Sequence, residues 1–427
     1  MLSQQPHPNR IPREAHNVSR RQISQNALNV LYRLQDAGFG ACLVGGGVRD
    51  LLLGRQPKDF DVVTDARPEQ VRRLFRHARI IGRRFKIVHV VFKDEVIEVS
   101  TFRGPMDDNT LRGETGMIIR DNEYGTIDDD VWRRDFACNA LYYDIADFSI
   151  IDYTNGVADV QQGRLRLIGD PETRYREDPV RMLRAARFRA KLGFDLDEMT
   201  REPLARLGEL LVPISSARLF DESLKLFQSG HGLASFETLR ELDLFKWLFP
   251  ELDAQLDEPS GRVDRLVRGV LASTDHRVAE DLGVNPAFLF AVLLWEGVRQ
   301  RIERLAHQRV APGEAMEFAI EETLRAAIER IAIPRRLTDI MREIWMLQPA
   351  LGVCPDGAER RALLGHGRFR AALDMLCLRA ESGEPVGQAC KFWRAFEPER
   401  AVLEQATGDD KGRKPRRRRR PRKKKPA

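Results

Sequence analysis

Two aspartates flank a phenylalanine in "KDFDVVT", Lys58 to Thr64. In an extended strand residues i and i+2 face the same side, so Asp59 and Asp61 project together while Phe60 turns towards the core. Carboxylates at that distance repel, and a divalent cation is one compensation. Mg²⁺ suits it, because it takes one or two carboxylates together with substrate phosphates. The alternative is an edge strand carrying ordinary surface acids, and a lone DxD does not decide between the two. Upstream, "LVGGGVRD" sets Gly45, Gly46 and Gly47 between a strand and a helix, with Arg49 on the first turn. Backbone N–H groups there can approach a triphosphate without Cβ obstruction, although the same turn also serves as a tight connection.

A second group lies in "EDPVRMLRAARF", Glu177 to Phe188. Asp178 and Arg181 are i and i+3 neighbours on one helix face and present an acceptor beside a donor. Adenine and cytosine each offer a donor beside an acceptor on the Watson–Crick edge and complement that pair; guanine and uracil show the reverse pattern. Arg184 and Arg187 continue the spacing. Asp178 before Pro179 also reads as an N-cap followed by proline at the first helical position. Between the two groups, "RRDFACNALYYD" brings Asp135, which reads as a catalytic acid or as a salt-bridge partner of Arg133 or Arg134. Asn139 reads as a ribose contact or a turn residue. Glu98, in the strand pattern "VIEVSTF", is a rival to Asp135 as a third carboxylate.

The elements that must position these residues alternate. "ISQNALNVLYRLQDAG" has helical periodicity, "DFDVVT" reads as strand, "RPEQVRRLFRHA" as helix, and "KIVHVVF" and "VIEVSTF" as two strands. The mixed α/β pattern runs to about Gly169. From Asp178 onward the strand patterns cease and apolar residues recur at i, i+3 and i+4, so an α/β head precedes an all-helical remainder. The expected division is a flexible arm (1–20), a head (21–175), a helical neck binding base and RNA (176–260), a helical RNA-binding body (261–407), and a disordered basic tail (408–427).

The net charge of +6 conceals a division: Lys411 to Ala427 holds twelve Lys and Arg and no acid, leaving residues 1–410 with 58 basic and 64 acidic side chains. Such a tail attracts phosphates whatever their sequence. No segment approaches the ~20 apolar residues of a membrane span, and the polar N-terminus lacks a signal-peptide core. The expectation is a cytoplasmic protein with no membrane partner. Five scattered cysteines without CxxC spacing suggest reduced thiols, most of them buried, and no zinc site. The eight histidines show no metal-ligand spacing, and His89 in a strand reads as a core or hydrogen-bonding residue.

Taken together, "LVGGGVRD", "KDFDVVT", "RRDFACNALYYD" and "EDPVRMLRAARF" resemble, in order and spacing, the motifs of the class II nucleotidyltransferases, the group of bacterial poly(A) polymerases and CCA-adding enzymes. "IIGRRFKIVHVVF", "ISSARLFDESLKLF", "VNPAFLFAVLLW", "IPRRLTDIMREIW" and the Arg-rich tail resemble the poly(A) polymerase branch over nearly the whole chain. The resemblance implies a head of the polymerase-β nucleotidyltransferase type, and template-independent transfer of AMP from ATP to RNA 3′ ends with release of pyrophosphate. CCA addition to transfer RNA is the alternative, and a catalytically inactive RNA-binding scaffold is another. It further implies catalytic roles for Asp59, Asp61 and Asp135, with Asp59 and Asp61 holding Mg²⁺ or Mn²⁺. Nucleotide-binding roles fall to Gly45, Gly46, Arg49, Arg134, Asn139, Asp178, Arg181, Arg184 and Arg187. The products would be RNAs marked for decay, and the implied partners are exonucleases, an RNA helicase or an RNA chaperone.

Overall fold

The computed structural model describes residues 7–82, 85–105, 123–258 and 261–396; the tail from Gly408 and Arg83 and Arg84 of "IIGRRFKIVHVVF" lie outside them. Eight strands form one sheet: β1 (Asn9–Ile11), β2 (Ala41–Val44), β3 (Asp61–Thr64), β4 (Ala78–Ile81), β5 (Ile87–Val91), β6 (Val96–Thr101), β7 (Leu141–Asp144) and β8 (Ile150–Asp152), in the order β1-β8-β7-β2-β3-β6-β5-β4. Only β3 and β6 run parallel; the other neighbours are antiparallel. Central β2 is buried along its whole length, as its unbroken apolar run requires. Towards the edge, β5 and β6 alternate: Val88, Val90, Ile97 and Val99 are buried, while His89 and Glu98 face out.

Helices α1 (Gln25–Asp36), α2 (Gly46–Leu52), α3 (Pro68–Leu74), α4 (Ile127–Arg133) and α5 (Gly156–Gln162) accompany the strands. Helix α1 is capped by Ser24, whose hydroxyl accepts from the Ala27 N–H at 3.1 Å, and it packs on β2 and β3. Next come α6 (Pro171–Glu177), capped by Asp170, and α7 (Val180–Leu192), ended by Gly193 in the left-handed region.

The chain forms two compact units. The first comprises the residues up to Phe227 together with Ala234–Leu248, and the second comprises Gln228–Leu233 and the chain from Phe249 onward. The second unit is helical; its core holds Trp345 and Trp393, whose indole N–H groups each donate to a backbone carbonyl, of Ala291 and Leu351, at 2.9 Å.

Several elements depart from expectation. Residues 9–11, placed in a flexible arm, pair with β8 at the sheet edge. The helix read through Ala78 stops at Leu74, and residues 78–81 turn back as β4 against β5. A two-residue strand, Asp195–Leu196, pairs with Arg164–Leu165 beyond the point where strand patterns were taken to cease. The thiols are not all reduced: Cys377 and Cys390 form a disulfide, their Cα atoms brought to 5.2 Å by two successive packed helices. Cys42 and Cys138 are free and buried, and Cys354 is free and exposed.

Candidate active site

Strand β3 begins at Asp61; Asp59 lies just before it, exposed, and Phe60 between them is 3% exposed in the core. The edge-strand alternative fails, because β3 sits between β2 and β6 in the middle of the sheet. Central position is what makes Asp61 costly. Asp61 is pushed up to about 6 by burial first, then by the neighbouring charge of Glu98; Arg134 opposes the rise and Asp59 adds to it.

Glu98 reaches Asp61 through sheet register. The parallel β3–β6 pair sets Asp61 beside Glu98, and the β5–β6 pair sets Glu98 beside His89. His89 Nε2 lies 3.1 Å from Glu98 Oε1. His89 is thus a hydrogen-bonding strand residue whose partner is a candidate site carboxylate.

On the other side of β3, β2 runs into the glycine turn. Gly45 has φ 77°, a conformation L side chains rarely adopt. A Cβ there would lie 3.8 Å from the Asn139 carbonyl, 3.9 Å from Arg134 Nη1 and 4.0 Å from Asp61 Oδ2. Gly45, Asn139, Arg134 and Asp61 therefore converge on one point. Arg134 is held by Asp130, Nη2 to Oδ2 at 2.7 Å, and its Nε also donates to the Tyr142 hydroxyl at 2.8 Å. Asp130, 1% exposed, is held well below the usual carboxylate range by Arg134 and Arg103, which overcome its burial. Arg49 is buried; it donates to the Asn139 side-chain oxygen and to Asp50, which ties the helix after the glycine turn to the segment carrying Asn139.

The arginines of α7 are each matched to an acid. Arg181 Nη1 donates to the Arg174 carbonyl at 2.7 Å and to Glu177 at 3.3 Å. Arg184 grips Asp135, with Nε and Nη2 at 2.7 and 2.5 Å from Oδ2. Arg187 Nε meets Glu222 at 2.7 Å. Phe188 lies among them: the guanidiniums of Arg49, Arg184 and Arg187 stand 5.7, 5.2 and 4.6 Å from its ring centroid. Asp135 is kept below the usual range despite burial, chiefly by Arg184. Neither Arg133 nor Arg134 is its partner. Asp178 does not cap α7, whose N-cap residue Pro179 lacks a side-chain cap; its carboxylate accepts from Arg218 at 2.7 Å.

Sequence reasoning missed Phe188, Arg218 and Glu222. Phe188 carried a signal, an aromatic one and four residues after arginines on a helix, whereas Arg218 and Glu222 arrive through tertiary packing. Among the described residues no group of three or more His, Cys, Asp or Glu forms a ready metal cage, and no helix is long and apolar enough to cross a membrane. Two carboxylates with a neighbouring third, one of them carrying a pKa raised by burial first and by the other two charges second, still fit a cation that completes its shell with substrate oxygens.

A sheet carrying paired acids beside a glycine turn, followed by helices, defines a nucleotidyltransferase head of the polymerase-β type with a helical body. Residues 41–166 match the model of the poly A polymerase head domain, residues 193–256 that of the probable RNA and SrmB-binding site of polymerase A, and residues 308–425 that of the polymerase A arginine-rich C-terminus. The sequence is 48% identical to poly(A) polymerase I of Salmonella typhi over 99% of this chain and 93% of that one. A CCA-adding enzyme of Lactobacillus helveticus is 39% identical over 51% of this chain and 53% of its own. The crystal structure of the Bacillus stearothermophilus CCA-adding enzyme in complex with CTP aligns with TM-score 0.58 and 28% identity, covering 87% of this chain and 82% of that one. The chain belongs to the bacterial poly(A) polymerase family of nucleotidyltransferases.

Proposed function

We propose that this protein adds AMP from ATP to RNA 3′ ends without a template, releasing pyrophosphate, and that the tails mark RNA for decay. The observation that carries the reading is the convergence of Asp61, Glu98, Gly45 and Arg134 on one face of the central sheet, in a chain similar to poly(A) polymerase I along nearly its full length. Asp59 and Asp61 would hold Mg²⁺ or Mn²⁺. Such an ion would neutralise triphosphate charge and favour the ionised RNA hydroxyl. Glu98, beside Asp61 in register, has the better claim to be the third carboxylate, because Asp135 is already engaged by Arg184.

The chain's own residues supply the rest. Gly45 leaves room for a phosphate or ribose beside Asp61, and Arg134 directs Nη1 at that space. Arg49 braces Asn139 next to the turn. Asp178 and Arg181 would read adenine as acceptor and donor, and Arg184 and Arg187, steadied by Phe188, would meet the phosphates. In-line attack of the RNA 3′-hydroxyl on the α-phosphate then expels pyrophosphate. The arm, head, neck, body and tail with limits at 20, 175, 260 and 407 remain our division of labour, with RNA held by neck, body and tail. Exonucleases, a helicase or an RNA chaperone are the partners this role predicts, and the cytoplasm its place.

The test is primer extension on a labelled RNA with Mg²⁺ and each nucleoside triphosphate separately, beside a transfer RNA lacking CCA. A long ladder with ATP alone supports the proposal. A short addition requiring CTP and confined to the transfer RNA would replace it with CCA addition, and no extension would leave an RNA-binding scaffold.

A further inference from the structure

The face of the sheet opposite Asp61 carries a second group of cations. Strand β7 alternates: Tyr142, in register with Val44 and through it with Asp61, donates its hydroxyl to Asp130 at 2.8 Å, so Tyr143 faces the other way. There Tyr143 lines a recess of about 370 Å³ with Arg13, Ser19, Arg20, Arg21 and Phe148. The volume lies within the range of small-ligand sites.

Two independent features mark this recess as built for an anion. First, its arginines lack acids. Arg103, Arg134, Arg184 and Arg187 are each paired with a carboxylate, whereas among the described residues Arg13, Arg20 and Arg21 have none within ion-pair distance. Arg13 donates to the His16 carbonyl at 2.9 Å, and Arg20 to the Tyr32 hydroxyl at 2.9 Å while lying 4.3 Å from the Phe148 ring centroid. Second, Tyr143 is 0% exposed and its hydroxyl has no hydrogen-bond partner, an omission that buried polar groups rarely show. Phe148 is held at φ 63°, with His16 Nε2 bonded to its carbonyl at 3.0 Å, which fixes the ring that Arg20 covers.

We propose that this recess binds a small phosphate-bearing anion, of nucleoside monophosphate size or less. The guanidiniums match phosphate oxygens in fork geometry, and the Ser19 and Tyr143 hydroxyls complete the donors. The site is separate from the nucleotidyl-transfer centre and does not rest on the reading of it.

The test is the thermal stability of the full-length protein, in EDTA, against inorganic phosphate and against AMP, with chloride matched for ionic strength. Wild type, Tyr143→Phe and Arg21→Gln are compared, and ATP KM in RNA extension is measured alongside. We expect both anions to raise the melting temperature of the wild type above the chloride control. Tyr143→Phe should weaken the half-saturating concentration about threefold and Arg21→Gln about tenfold, with ATP KM unchanged. Arg21 is exposed, so its variant keeps the test open if Tyr143→Phe fails to fold. Equal responses in all three proteins, or a response matched by chloride, would overturn the proposal. A response to single-stranded RNA and to neither small anion would also overturn it, making the recess an RNA contact.

Discussion

The acids of β3 and β6 and the arginines of α7 are charged groups built on opposite terms. Burial raises Asp61 to about 6, the neighbouring charges of Glu98 and Asp59 add to the rise, and Arg134 opposes it. Arg181, Arg184 and Arg187 each have a carboxylate within 3.3 Å. A half-buried acid held among like charges costs stability that a counter-ion would relieve, whereas paired charges on a helix are satisfied already and must exchange partners to hold a ligand. The first arrangement favours binding of a cation; the second favours selectivity, because only a ligand that replaces the acid well gains the arginine.

The largest effect expected from breaking this contrast is at Asp61. Asp61→Asn should reduce primer extension by about 10³-fold or more, as loss of a charge-stabilising group at the reaction centre does. The same change should stabilise the metal-free fold. The folded protein holds the Asp61 proton more tightly than the unfolded chain, so this group favours folding fully below its ordinary value of 3.8, and that contribution is lost as pH rises through about 6. Denaturant melts should therefore show Asp61→Asn more stable than wild type by ~1–3 kcal/mol at pH 7.5, with the difference vanishing near pH 4.

Next in size is the choice between Glu98 and Asp135. Glu98→Gln should lower kcat about 100-fold with little change in stability. Asp135→Asn removes the partner of half-buried Arg184 and should destabilise the fold by ~1–3 kcal/mol, raising ATP KM more than it lowers kcat. A smaller effect is expected at Phe188: Phe188→Leu keeps the helix but loosens three arginines, which should raise ATP KM about five- to tenfold. Smallest in rate but sharpest in selectivity is Arg181→Ala. It should narrow the preference of ATP and CTP over GTP and UTP in single-nucleotide addition by about tenfold, whereas a preference left unchanged would remove Arg181 from base reading.

Much of this contrast was legible in the chain. The i, i+2 spacing around Phe60 pointed to neighbouring acids, although β3 begins only at Asp61 and leaves Asp59 just before it, and the three-residue spacing of Arg181, Arg184 and Arg187 set the arginines along α7. Partners were not legible, because they come from register and tertiary packing. Glu98 meets Asp61 only through a parallel pairing that no local pattern specifies, and Glu222 and Arg218 come from the Ser216–Phe227 helix. Proline after Asp178 pointed to a cap, yet the carboxylate went to a distant arginine. Short edge strands such as β1 and β4 offer three or four residues, too few for a period-2 signal to stand out. The Cys377–Cys390 bridge depends on how two helices pack, which their 13-residue separation does not reveal.

Whether Asp61 and Glu98 hold the cation is read most simply from a Mg²⁺ titration of thermal stability at pH 7.5, without nucleotide, on wild type, Asp61→Asn, Glu98→Gln and Asp135→Asn. Mg²⁺ should stabilise wild type and Asp135→Asn, with the gain absent in Asp61→Asn and smaller in Glu98→Gln. A full gain in Asp61→Asn and Glu98→Gln, or its loss in Asp135→Asn alone, would contradict this assignment.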